Sequence, residues 1–300
     1  MHDDELAVDA ALLRRLVADQ FPAWAELPVT RVESDATVNA IFRIGDGLAA
    51  RLPLREHAVA DVEAGLRAEA AALEEFAAVS PFPAPRPVAI GAPGAGYPLP
   101  WSVQTWLSGT VATPDGTAEA TALADDLAEL IGALRSAPTR GRTFSGSGRG
   151  GVLAAQDAWM ATCFAESTGL LDVPALRDRW RALRELPRRG PDVMAHGDLH
   201  PANLLVDDDR LVGVLDAGGY GAADPALDLI VPWTLFDAPV RDRMRRALGS
   251  DDLEWARGAA WAFAQAMGLV WYYIESNPGM SALGRRVLER VMGDPLVRSL

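Results

Sequence analysis

The chain has 300 residues, 49% hydrophobic and 23% charged, enough for one large soluble core or two smaller ones. Its formal charge of −13, from 28 basic and 41 acidic residues, argues against nucleic acid as a main partner and is compatible with a cationic one. The lone Cys163 rules out an internal disulfide and fits a reducing cytoplasm, and no run is apolar enough to span a membrane. The opening Met1-His2-Asp3-Asp4-Glu5 is acidic, unlike a secretory leader. Every basic residue apart from histidine is arginine, so any role usually given to lysine falls to another side chain.

Leu6, Ala10, Leu13 and Val17 recur at helical spacing and predict a helix over 5–20, ending before Phe21-Pro22. Strands follow at 29–32, 40–44 and 48–52, separated by the polar turn 34–39 and by Gly45-Asp46-Gly47. The stripe Val59, Val62, Leu66, Ala70, Leu73 predicts a helix over 57–78. Four prolines between Pro81 and Pro87 break the chain, and strands are expected at 88–90 and 101–107.

Beyond Gly109 the periodicity turns helical: 116–135, 152–167, 174–186, 238–248 and 251–276. The Gly/Ser/Arg-rich segment 139–151 reads as a flexible linker. Cys163 lies within a helical pattern, as a buried inert thiol would.

The stretch 194–228 organises the rest. Leu204-Leu205-Val206 and 211–215 predict a hairpin turned by Asp207-Asp208-Asp209-Arg210. Asp198 and Asn203 fall on the loop before it, and Asp216 falls just after it. Two carboxylates and a carboxamide converging at a hairpin mouth suit metal-assisted phosphoryl transfer, in which one carboxylate takes a hydroxyl proton and hard oxygens hold Mg²⁺. The run His196-Gly197-Asp198, with Asn203 five residues after Asp198, then Asp216-Ala217-Gly218, then Gly221-Ala222-Ala223-Asp224-Pro225-Ala226-Leu227-Asp228, resembles the catalytic and metal-binding segments of the aminoglycoside phosphotransferase (antibiotic kinase) family.

That resemblance implies an α+β, two-lobed protein-kinase-like fold. An antiparallel-sheet N-terminal lobe over 1–107 would bind nucleotide and end in a hinge. A mainly helical C-terminal lobe over 108–300 would carry the catalytic loop, metal site and substrate pocket. The implied activity moves the γ-phosphate of ATP or GTP to a hydroxyl of a small molecule, an aminoglycoside-like or macrolide-like antibiotic. Asp198 would be the catalytic base, and Asn203 and Asp216 would ligate Mg²⁺. His196, Asp224 and Asp228 would support the loop.

Ser34, Thr37 and Asn39 would cover the phosphates from a loop that lacks the usual glycine. Arg51 would replace the phosphate-gripping lysine, its planar charged fork suiting phosphate, and Glu69 would pair with it. Backbone groups at Gln104, Thr105 and Trp106 would meet the purine edge. Candidate pocket residues are Asp157, Asp237, Gln265, Trp271, Tyr272 and Glu275. Ala217 stands where relatives often have an aromatic residue, which leaves Asp216 less buttressed and points to altered metal affinity.

Two other readings of the same residues stay open. His196, Asp198, His200 and Asp216 are a plausible zinc set for a metal-dependent hydrolase, which would leave Asn203 unexplained. A non-catalytic nucleotide-binding protein would fit the missing lysine and glycines, but not the intact Asp198, Asn203 and Asp216.

Overall fold

A computed structural model of the chain describes residues 6–32, 38–146, 148–188 and 190–300. Their contacts divide the chain into two units, Met1–Ala78 with Pro83–Ser108, and Val79–Phe82 with Gly109–Leu300.

The first unit is built on a five-stranded antiparallel sheet. In chain order the strands are β1 (Val29–Arg31), β2 (Asn39–Ile44), β3 (Leu48–Pro53), β4 (Pro87–Gly91) and β5 (Trp101–Thr105), arranged β1-β2-β3-β5-β4. Ala40, Phe42 and Ile44 alternate inward along β2, the period-two pattern of a half-buried strand. They pack with Trp101, Val103 and the inner face of helix α1 (Ala10–Gln20), chiefly Leu13, Leu16 and Val17. Asp9 caps α1, its carboxylate accepting from Leu12 N at 2.7 Å. The helix therefore starts later than its apolar spacing alone suggests. Helix α2 (Val59–Val79) supplies Leu66, Leu73 and Phe76 as its buried residues.

The second unit is mainly helical: α3 (Pro114–Thr117), α4 (Thr121–Ser136), α5 (Asp157–Glu166), α6 (Val173–Leu183), α7 (Val231–Leu235), α8 (Ala238–Leu248), α9 (Asp252–Tyr272), α10 (Pro278–Gly293) and α11 (Pro295–Arg298). Its short strands are β6 (Thr110–Val111), β7 (Val193–Ala195), β8 (Leu204–Asp207), β9 (Arg210–Val214) and β10 (Gly221–Ala223). The helix expected over 116–135 is two, α3 and α4. That expected over 152–167 opens as a 3₁₀ turn at Leu153–Gln156.

Helix α9 is the hub. Trp255, Trp261, Phe263 and Met267 are all buried on it, and it packs against α5, α6, α7 and α10. It stops at Tyr272, short of 276, because Asn277 caps the next helix through Met280 N (3.2 Å) and Pro278 occupies its first position. No described helix is long and apolar enough to cross a membrane.

Candidate active site

The β8–β9 hairpin forms as its alternation predicts. Its turn places Asp208 and Asp209 at φ 44° and 59°, left-handed values that aspartate tolerates better than most residues. Asp126 of α4 fixes the hairpin, accepting from Arg210 Nε (2.7 Å) and Leu211 N (3.0 Å). At the open end, Leu215 N donates to the Asn203 carbonyl at 2.8 Å, so Asn203 and Asp216 leave adjacent positions of the closed hairpin. Asp216 takes a left-handed φ of 57° and begins a 3₁₀ turn at Ala217–Gly219.

The loop from His196 to Asn203 is held from beneath. Strand β7 pairs with β10, Ala195 opposite Gly221. The buried Asp228 carboxylate accepts from His196 N (2.8 Å) and Gly197 N (2.9 Å). Burial pushes the Asp228 carboxyl upward, opposed by these two N–H bonds. Gly197 turns the chain at φ 86°, a conformation that strains any residue with a Cβ. Asp224 is also buried, where it pairs with Arg257 and accepts from Trp261 Nε1 at 2.9 Å and from Ala226 N at 3.1 Å.

Asp198 projects from this loop with its side chain 43% exposed. Asn203 Nδ2 donates to its backbone oxygen at 3.0 Å and reaches Oδ2 at 3.4 Å. Arg149 donates to Oδ1 at 2.7 Å, Gln265 Nε2 reaches the same oxygen at 3.4 Å, and His200 Nε2 lies 3.4 Å from Oδ2. Burial alone would raise this carboxyl. The His200 hydrogen bond and the nearby Arg149 guanidinium outweigh it and hold the group at about 2. Asp198 is therefore anionic at neutral pH.

Both histidines are committed. His196 Nδ1 accepts from Asp198 N (3.2 Å), so its Nε2 carries the hydrogen and donates to the Leu215 carbonyl at 2.9 Å. His200 Nδ1 accepts from Ala202 N at 3.3 Å, which leaves a hydrogen on Nε2 facing Asp198. Neither ring keeps a lone pair for zinc, and no three His, Cys, Asp or Glu side chains converge on a metal position among the described residues. These bonds and this spacing speak against the zinc-hydrolase reading. Asn203 Nδ2 is turned onto Asp198, so its Oδ1, like the Asp216 carboxylate, is a hard oxygen donor of the kind Mg²⁺ takes.

Asp198 lines a cavity of about 910 Å³. Of the six candidate pocket residues, Gln265 and Tyr272 line it with Asp198, and the other four do not. Asp157 is tied to Arg184 (2.6 Å) and Trp180 Nε1 (3.0 Å), fastening α5 to α6. Asp237 precedes α8 without a side-chain capping bond and faces Arg290 at 3.3 Å. Trp271 packs against the helical core, its ring centroid 5.9 Å from that of Trp159. Glu275 is exposed in the turn after α9. Choosing acids by sequence position missed these distant arginine partners. It also missed Arg149, Trp159 and Tyr273, which do line the cavity.

In the first unit Arg51 forms an ion pair with Glu69. Asn39 opens β2 opposite Pro53; Ser34 and Thr37 lie outside the described residues. Gln104 lines a cavity of about 200 Å³ together with Glu69. Thr105 N and Trp106 N donate to the carbonyls of Arg86 (2.9 Å) and Gly47 (2.8 Å), so neither N–H is left for a purine edge. Arg43 stacks over the Trp106 ring at 5.3 Å.

The sequence model of the phosphotransferase enzyme family matches residues 28–263. The chain belongs to that family. An aminoglycoside 3'-phosphotransferase of Escherichia coli is 32% identical to this family member over 77 residues, 24% of this chain and only 28% of the relative's own length. The solved GDP complex of wild-type aminoglycoside 2'-phosphotransferase-IIIa superposes with a TM-score of 0.70 at 18% identity, covering 94% of this chain and 98% of that one. The apoenzyme of macrolide 2'-phosphotransferase MphH from Brachybacterium faecium gives 0.62 at 20% identity, covering 93% and 97%. At these identities the likeness establishes the kinase-like α+β fold.

Proposed function

We propose that this family member is a small-molecule O-phosphotransferase that moves the γ-phosphate of ATP or GTP, with Mg²⁺, to a hydroxyl of an antibiotic or similar compound. The observation that carries the reading is Asp198. It is an anionic carboxylate held by Asn203 and His200 at the wall of a cavity large enough for such an acceptor.

A carboxyl at about 2 is a weak base against an alcohol. Asp198 therefore orients the hydroxyl first and takes its proton as the new O–P bond forms and the nucleoside diphosphate leaves, when that proton has become acidic. Asn203 keeps the carboxylate aimed. His196 and Asp228 lock the loop by bonding the hairpin end and two loop N–H groups. Asn203 Oδ1 and Asp216 are the groups that would hold Mg²⁺, which supplies charge neutralisation on the phosphate oxygens. Arg51, kept in place by Glu69, grips the nucleotide phosphates in the role usually given to lysine.

The Asp198→Ala variant tests the assignment. It should fold and bind nucleotide, yet lose roughly 100- to 10,000-fold in transfer rate. Full activity in that variant sinks the assignment.

A further inference from the structure

The described residues of the segment 139–151 are anchored rather than free. The Gly150 carbonyl accepts from Asp224 N at 2.7 Å, and the Gly148 carbonyl accepts from Gln156 Nε2 at 2.6 Å. A Cβ at Gly150 or Gly151 would fall 2.8 Å from the Phe144 ring, so the backbone lies flat on that ring. Phe144 is itself tied through its N–H to Asp192 at 2.9 Å. These anchors present Arg149 to Asp198 at 2.7 Å, with the guanidinium half-buried.

The consequence is one of charge. Asp198 is the only carboxylate among the described residues lining the cavity, and Arg149 already offsets it. The rest of the lining is apolar or uncharged, including Trp159, Leu269, Tyr272, Met280 and Thr234. Asp157 and Asp237 are held by Arg184 and Arg290 and are not offered to ammonium groups. A polycation entering here would desolvate several ammonium groups without partners and meet a fixed guanidinium. An apolar acceptor would bury its surface on the aromatic wall. The acidity of the whole chain attracts cations from a distance but provides, among the described residues, no carboxylate at this site besides Asp198.

We infer that the acceptor is a largely apolar hydroxyl compound carrying at most one positive charge, and that Arg149 is the residue that excludes polycations. The inference rests on the phosphotransferase reading and concerns its acceptor cavity.

The test is isothermal titration calorimetry with two probes: erythromycin, largely apolar with one amine, and kanamycin, a polycation. Wild type should bind erythromycin at least about tenfold tighter, a difference of one charge contact. Arg149→Glu should narrow that ratio at least about tenfold by improving kanamycin, with Arg149→Gln between them. Stronger kanamycin binding by wild type, no erythromycin binding, or an unchanged ratio in a folded Arg149→Glu protein overturns the inference. Should Arg149→Glu fail to fold, Trp159→Ala decides: erythromycin binding should fall and kanamycin binding should not, and equal losses overturn it. Transfer activity that survives Asp198→Ala would instead refute the phosphotransferase reading and leave the binding ratio standing.

Discussion

The buried pair of Asp224 and Arg257 should be the costliest single point of failure in the helical unit. Each side chain is only 2% exposed. Asp224 accepts from Arg257, from Trp261 Nε1 and from Ala226 N, and its own N–H holds the Gly150 carbonyl. Asp224→Asn keeps the shape but removes the charge, and its amide cannot serve all three donors. Where the NH₂ turns toward Arg257, donor faces donor; the guanidinium stays buried without a counter-ion. Breaking such a pair from one side costs about 3–5 kcal/mol, a large part of a typical stability of ~5–15 kcal/mol. Urea unfolding followed by far-UV circular dichroism should show that loss as an earlier midpoint. Arg257→Met in the Asp224→Asn background should recover part of it, because no unpaired charge is then buried. A single Asp224→Asn variant within about 1 kcal/mol of wild type would refute the argument.

Three further outcomes are expected. Gly284→Ala should lower the melting temperature, by about 1–3 kcal/mol of stability, because the new Cβ would stand 2.8 Å from the Ala266 carbonyl and 3.0 Å from Leu269 Cβ across the α9–α10 contact. Helix propensity alone would favour alanine by about 1 kcal/mol, so the sign of the change discriminates. Cys163 is fully buried, and burial pushes its thiol up; native protein should leave a thiol reagent unreacted at mild alkaline pH and titrate one equivalent in denaturant. The Asp157 carboxyl is lowered, with the Arg184 hydrogen bond outweighing burial. Its stabilisation is therefore present above the ordinary carboxylate value of 3.8 and lost as pH falls through the depressed folded value. Wild type and Asp157→Asn should differ in unfolding midpoint near neutrality and converge in acid; a gap that persists in acid refutes this.

What could be read from the chain alone follows the range of the forces involved. The β8–β9 hairpin was legible because alternation and an aspartate-rich turn act over a few residues. The His196–Asn203 loop was legible because its chemistry is contiguous. Helix α10 carried a local signal too, Asn277 followed by Pro278, which periodicity running on from α9 obscured. The failures were long-range. Asp157 and Asp237 looked available because Arg184 and Arg290 stand 27 and 53 residues away. Arg149 looked idle in a glycine-rich linker because its partner Asp198 lies 49 residues on.

In a chain whose only strong cations are arginines, each planar fork can claim a carboxylate from another element. Which acids remain to meet a ligand is therefore decided by tertiary pairing and not by the acids themselves. The same bookkeeping explains how a chain of charge −13 can enclose a cavity with, among the described residues, a single, already paired carboxylate. The surplus of acid lies elsewhere on the molecule, so net charge predicts its long-range field and says little about the ligand that the cavity will accept.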